Sequence, residues 1–170
     1  MIPCTIQCLS RDHLDHFRDA RKVTFEQDFG LSQIHSMAFV SFRVMEITIP
    51  ASISLLGEKC FSRCQNLSRV LFESGSKLEV IKSCCFYRCR QLKEIEFKGR
   101  SLKVIEDGAF VRTGIEKIVI PSSVESLGRR CFASCPNLKC VSFENHSRLS
   151  ILEELFFDLG VSQTANLSTR

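Results

Sequence analysis

Ten cysteines are the residues best equipped for chemistry in this chain of 170 residues. Six fall in pairs, Cys60/Cys64, Cys85/Cys89 and Cys131/Cys135, each written C-F-x-x-C. Zinc sites pair ligands as C-x₂₋₄-C, so the spacing admits a metal. It also admits disulfides, or a thiolate nucleophile if one thiol is activated. Against these stands regularity: Ala38 and Ala109 occupy the first cysteine's place in shorter units of the same pattern. A position that takes either Cys or Ala reads as a small buried hydrophobe. The periodic placement favours structural thiols, with disulfide and metal as the alternatives. Cys4, Cys8, Cys84 and Cys140 lie outside the pattern.

The four histidines are His13, His16, His35 and His146. Asp12-His13-Leu14-Asp15-His16 is the densest titratable cluster, placed on a surface turn and read as solvated. No G-x-S-x-G, P-loop, G-x-G-x-x-G, H-E-x-x-H or EF-hand motif is present. Glu153 and Glu154 are merely adjacent. The expectation is no catalytic residue, no metal, no cofactor and no enzyme activity. Asn66, Asn145 and Asn166 fit the glycosylation sequon, which matters only in a secreted chain.

What places the cysteines is an internal repeat. Ile49 to Phe72 (IPASISLLGEKCFSRCQNLSRVLF) aligns without a gap on Ile120 to Phe143 (IPSSVESLGRRCFASCPNLKCVSF). Two related units lie between them. In every unit an apolar residue is followed after three by Ile or Leu, and after five more by Phe. A Leu or Ile comes next, then an apolar–x–apolar strand. The ring position holds Phe39, Phe61, Phe86, Phe110, Phe132 and Phe157, spaced 22, 25, 24, 22 and 25 residues apart. The strands are 23–25, 47–49, 70–72, 95–97, 118–120 and 141–143. Ile2, Ile6, Leu9, Leu14, Ala20 and Val23 extend the same offsets backward, with Leu14 in the ring's place.

A unit this small cannot bury its own apolar face, so units stack and share one core. In each strand the flanking residues point in and the middle one out. Gly57 and Gly128 hold matching places and read as positions needing positive φ. GEKCFSRC and GRRCFASC read as single helical turns. The expectation is an α/β solenoid of about seven repeats of 22–25 residues over 1–157, with residues 158–170 a frayed tail.

The balance of 23 basic and 19 acidic residues, net +4, is too mild and mixed for a nucleic-acid footprint. No apolar run is long enough for a membrane span, and Met1 to Ser10 lacks the pattern of a signal peptide. By default this places the chain inside the cell.

The residues Ile120-Pro121-Ser122-Ser123-Val124, Leu127-Gly128, Cys131-Phe132, Cys135, Leu138 and Val141-Ser142-Phe143 resemble the BspA-like leucine-rich repeats. The resemblance covers about residues 2 to 157. It implies a right-handed parallel solenoid whose convex side carries short helical turns or irregular segments. It also implies a protein ligand, an adhesion or surface-antigen role and a cell-surface or secreted location. A structural fragment of a longer repeat protein, or an intracellular scaffold, is the alternative. The candidate binding face is the outward strand row Thr24, Thr48, Leu71, Glu96, Val119 and Ser142. Beside it runs the preceding row Lys22, Glu46, Arg69, Glu94, Lys117 and Cys140, alternating in charge over five turns. That alternation can also serve only to stabilise the ladder.

Overall fold

The computed structural model describes residues 8–25, 30–146, 149 and 168–169. Each coil contributes a strand to one parallel ladder, a shorter two-residue strand to another, and a turn carrying the ring. The longer strands are β2 (Lys22–Val23), β4 (Glu46–Ile49), β6 (Arg69–Phe72), β8 (Glu94–Glu96), β10 (Lys117–Ile120) and β12 (Cys140–Phe143). The shorter ones are β1 (Cys8–Leu9), β3 (Gln33–Ile34), β5 (Leu55–Leu56), β7 (Val80–Ile81), β9 (Val104–Ile105) and β11 (Ser126–Leu127). These six form one parallel sheet in repeat order. The longer strands form two sheets, β2-β4-β6-β8 and β10-β12-β13, the last strand being Ser168–Thr169.

Register follows the repeat. Ile47 pairs with Val70 and Val70 with Ile95, while Thr48 pairs with Leu71 and Leu71 with Glu96. The inward members Ile47, Ile49, Val70, Phe72, Ile118, Ile120 and Val141 are buried as the period of two requires. The short ladder buries Leu9, Ile34, Leu56, Ile81, Ile105 and Leu127. Between the ladders the rings stack: Phe39, Phe61, Phe86, Phe110 and Phe132 have successive centroids 5.0, 5.4, 5.3 and 5.4 Å apart, with planes within 11° of parallel. Leu14 takes the ring's place in the first coil and is buried there.

Several expectations need correction. The ring-side segments are not helical turns. The residues two before and two after each ring hold positive φ, between 54° and 63°, from Met37 and Ser41 through Arg130 and Ser134. That alternation turns every second amide toward the next coil. Phe39 N–H donates to Cys60 O at 2.7 Å, Phe61 to Cys85 at 2.9 Å, Phe86 to Ala109 at 2.8 Å and Phe110 to Cys131 at 2.9 Å. The amides between them close turns within their own coil, such as Ser62 N–H to Lys59 O at 2.9 Å. Among the described residues the only helices are two 3₁₀ turns in the first coil, Arg11–His13 and Asp15–Phe17.

Gly57 and Gly128 have no positive φ; they are required by close approach. A Cβ on Gly57 would lie 2.4 Å from Ser36 N, and one on Gly128 2.4 Å from Asp107 N. Both stand in coils whose ring follows the previous ring by only 22 residues; Lys82 and Glu106 fill the place after spacings of 25 and 24. Among the described residues the repeat count is also lower than seven. Five coils carry the full pattern with its ring, and the Leu14 coil makes a sixth. Phe157, Ile2 and Ile6 lie outside the described residues. So does most of the 158–170 segment, of which Ser168–Thr169 pairs in parallel with Ser142–Phe143.

Candidate functional site

The strand face is built by the outward residues that the pleat leaves over. Lys22, Thr24, Arg69, Glu94, Glu96, Lys117 and Val119 are exposed; Glu46, Thr48, Leu71, Cys140 and Ser142 are half-buried. The ladder brings Glu46, Arg69 and Glu94 into line on three neighbouring strands. There Arg69 Nε donates to Glu94 Oε2 at 2.7 Å, and its Nη1 lies 3.9 Å from Glu46 Oε2. The alternating row thus makes a carboxylate–guanidinium–carboxylate bridge across β4, β6 and β8. Lys117 belongs to the separate β10 sheet, in register with Cys140 rather than with Glu94. An open concavity runs beside Arg69, Leu71, Glu94, Glu96 and Lys117. A second lies between Phe97, Arg100, Val119, Ser142 and Phe143. At 52% exposure, Val119 is the most open large apolar residue among those described, so this face offers dispersion contacts as well as charge.

The cysteine pairs lie on the opposite side, inside the coil. Cys60, Cys64, Cys85, Cys89, Cys131 and Cys135 are buried and free. Cys60 Sγ lies 3.5 Å from Cys85 Sγ in the next coil. The second cysteine of each pair donates its thiol to the ring residue's carbonyl one coil earlier: Cys64 to Phe39 at 2.9 Å, Cys89 to Phe61 at 3.0 Å and Cys135 to Phe110 at 3.0 Å. The thiol is therefore more than a small hydrophobe, since it also solvates a carbonyl that only one amide reaches. Burial pushes the Cys64 and Cys131 thiols up to about 12, and those of Cys60 and Cys89 well above the ordinary thiol range. A thiol held protonated and out of solvent is a poor nucleophile. Under native conditions, alkylation followed by peptide mass mapping is expected to modify the half-buried Cys84 and Cys140 ahead of the six buried thiols. Fast labelling of any of the six buried thiols would contradict a structural role.

Among the described residues no group of three or more His, Cys, Asp or Glu side chains could hold a metal. Asp12, His13, Asp15 and His16 are all exposed; His13 Nδ1 meets Ser10 Oγ at 2.8 Å and Asp15 accepts from Arg18 at 2.9 Å. Glu153, Glu154 and Asn166 lie outside the described residues. One feature of the ring side went unread in the sequence: Arg63, Arg88 and Arg112 stand two residues after successive rings. The Phe alignment itself contains that signal.

The sequence profile of the BspA type leucine rich repeat region matches residues 2–77 and 72–168, in six copies. The chain belongs to the BspA-type leucine-rich repeat family. Solved structures place this BspA-type chain among bacterial relatives. It is similar to a leucine-rich repeat protein of T. pallidum, with 27% identity over 72% of this chain and 58% of that one, at a TM-score of 0.65. A leucine-rich repeat protein from Bacteroides ovatus shares 26% identity over 87% of this chain and 43% of that one, at a TM-score of 0.60. The pneumococcal vaccine antigen PcpA shares 28% over 76% of this chain and 26% of that one, at a TM-score of 0.50. The chain thus spans between about a quarter and three-fifths of these structures' lengths. No curated protein matches it. BspA-type repeats are leucine-rich repeats, a fold generally used for protein interaction. Among the described residues no helix is long and apolar enough to cross a membrane.

Proposed function

We propose that this domain is a non-enzymatic protein-binding module. It docks a protein ligand on its strand face, in an adhesion or surface-antigen role at the cell surface. The observation that carries this reading is the aligned outward row, in which the Glu46–Arg69–Glu94 bridge lies on the same face as the apolar Leu71 and Val119. A protein interface favours such a mixture, with charge setting register and apolar side chains supplying contact. The family's interaction fold supports it, as does the likeness to a protein described as a vaccine antigen. A second reading is a structural segment of a longer repeat protein or an intracellular scaffold. It draws on the short share that this chain spans of the similar solved chains.

The double reversal Arg69→Glu/Glu94→Arg keeps an ion pair between β6 and β8, sets a carboxylate opposite Glu46 and inverts the face's pattern. With immobilised extracellular-matrix proteins as the probe, affinity is expected to fall by about tenfold, the scale at which charge complementarity acts. The thermal transition should shift only slightly, because exposed charge pairs on neighbouring strands change stability little. Unchanged affinity would rule out this face. Absence of any binding by the unaltered domain would favour the segment or scaffold reading.

A further inference from the structure

The geometry points to a second binding surface, on the ring side, that takes a linear sulfated polysaccharide. The residue two after each ring forms a column: Ser41, Arg63, Arg88, Arg112 and Ser134, all with φ between 54° and 62°. Backbone bonds tie the members to successive coils, with Arg63 N–H to Tyr87 O at 2.7 Å, Arg88 N–H to Val111 O at 2.9 Å and Arg112 N–H to Ala133 O at 3.0 Å. The three arginines therefore repeat at about one rung, ~4.8 Å. Positive φ favours Gly or Asn, so backbone demand does not explain Arg three times over.

Arg63 and Arg112 are exposed, as is the nearby Arg90; Arg88 is half-buried with its Cζ 5.2 Å from the Tyr87 ring centre and its Nε without a hydrogen-bond partner. From one to four residues after each ring, at 40–43, 62–65, 87–90, 111–114 and 133–136, there is no carboxylate. At the strip's edge Arg43 pairs with Asp19, and elsewhere the cations pair across coils, as Arg69 does with Glu94, Lys82 with Glu106 and Lys139 with Glu116. Like charges stacked one rung apart without a counter-charge repel, and an external polyanion removes that repulsion. Planar guanidiniums match sulfate and carboxylate oxygens in pairs.

The rest of the strip selects among polyanions. Its main-chain amides from Arg63 to Arg112 alternate between bonds to the next coil and bonds within their own, so an acidic peptide gains no free row of donors to extend. Of its two aromatic rings, Phe42 is buried and Tyr87 is occupied by Arg88, which leaves no platform for unpaired bases. A stiff sulfated rod needs neither. This surface lies away from the strand face and stands or falls separately from it.

The test is binding of a fluorescein-labelled heparin oligosaccharide, followed by anisotropy at low and physiological salt. The triple variant Arg63→Ser/Arg88→Ser/Arg112→Ser copies the Ser41 and Ser134 of the same column, so the backbone is compatible; thermal unfolding checks the fold. Affinity is expected to fall at least about tenfold, while a triple Lys variant retains part of it. The strand-face double reversal is expected to bind heparin as the unaltered domain does. Should the triple variant unfold, single R63S and R112S variants carry the test, each weakening binding. The proposal is overturned if the unaltered domain does not bind or if the Ser variants bind undiminished. It is equally overturned if the strand-face variant loses binding, or if a polyglutamate peptide or single-stranded oligonucleotide of equal charge binds as tightly.

Discussion

Phe86→Ala is expected to destabilise the domain by about 3–5 kcal/mol, the range for removing a fully buried ring. Phe86 sits mid-stack, with Phe61 at 5.4 Å on one side and Phe110 at 5.3 Å on the other, and is 0% exposed. Truncation leaves a void between two near-parallel rings whose backbones are fixed by bonds to adjoining coils. Neither ring can collapse into the gap without breaking those bonds, so the cost belongs at the upper end. A mid-stack void also separates the coils before it from those after it. In a linear array, stability is a sum of nearest-neighbour interfaces, so the denaturant transition should broaden or split as well as shift. Phe17→Ala is the matched control, because that ring is 39% exposed and outside the stack. Urea unfolding followed by circular dichroism measures both. A loss below about 1 kcal/mol for Phe86→Ala would show that the rings do not carry the core.

The second large effect is expected at Gly128. In Gly128→Ala the new Cβ would meet Asp107 N at 2.4 Å, Asp107 Oδ1 at 2.5 Å and Glu106 C at 2.6 Å. Two of those atoms are backbone and cannot swing away, so coils must part. The cost is expected to reach about 4 kcal/mol, the range of exceptional single substitutions. Gly75→Ala gives the contrast: a Cβ there meets nothing within 4 Å and pays only for its positive φ of 75°, about 1–2 kcal/mol. Comparing the two denaturation midpoints separates crowding from conformational freedom. Equal midpoints would mean that the coils are not drawn together at Gly128. A selective loss of protection at the Gly128 amide, which donates to Ile105 O at 2.7 Å, would locate the damage by hydrogen exchange.

The ring column and the longer ladder were legible in the sequence because one residue type returns at a steady interval and flanks a period-two strand. The second ladder was not. Its strands are two residues long, and their outward members, Gln33, Leu55, Val80, Val104 and Ser126, share no chemical type. Two residues cannot display an alternation. The ring-side turns were misread because bonds between residues three apart do occur there, as in a helical turn. The interleaved positive-φ residues that break the helix are mostly Lys, Arg, Ser and Met, and only Gly108 announces itself. The glycines were found at their correct places for the wrong cause. A sequence shows the missing side chain but not whether conformation or a neighbour forbids it. The charged strand row was visible as an alternation. That Arg69 bridges both ways while Lys117 falls in another sheet depends on where the ladder breaks, which no single residue type records.

The ring-side amides have a directional consequence. From two residues before to two residues after each ring, every amide that links coils runs from an earlier coil's N–H to a later coil's carbonyl, whereas flanking links such as Gly57 N–H to Ile34 O and Gly114 N–H to Cys89 O run the other way. The links along the ring strip are therefore arrows pointing the same way, and their dipoles add as they do along a helix axis. Exposing the interior at any coil boundary yields two dissimilar surfaces. Along the ring strip the earlier coils present amide hydrogens and the later coils carbonyl oxygens; beside the strand ladders, links such as His35 N–H to Leu9 O and Glu73 N–H to Ile49 O give the opposite pattern. Only an amide-bearing strip can seat a carbonyl-bearing one, so the array carries a built-in sense of head and tail. Two such units can be spliced in series, but never nose to nose.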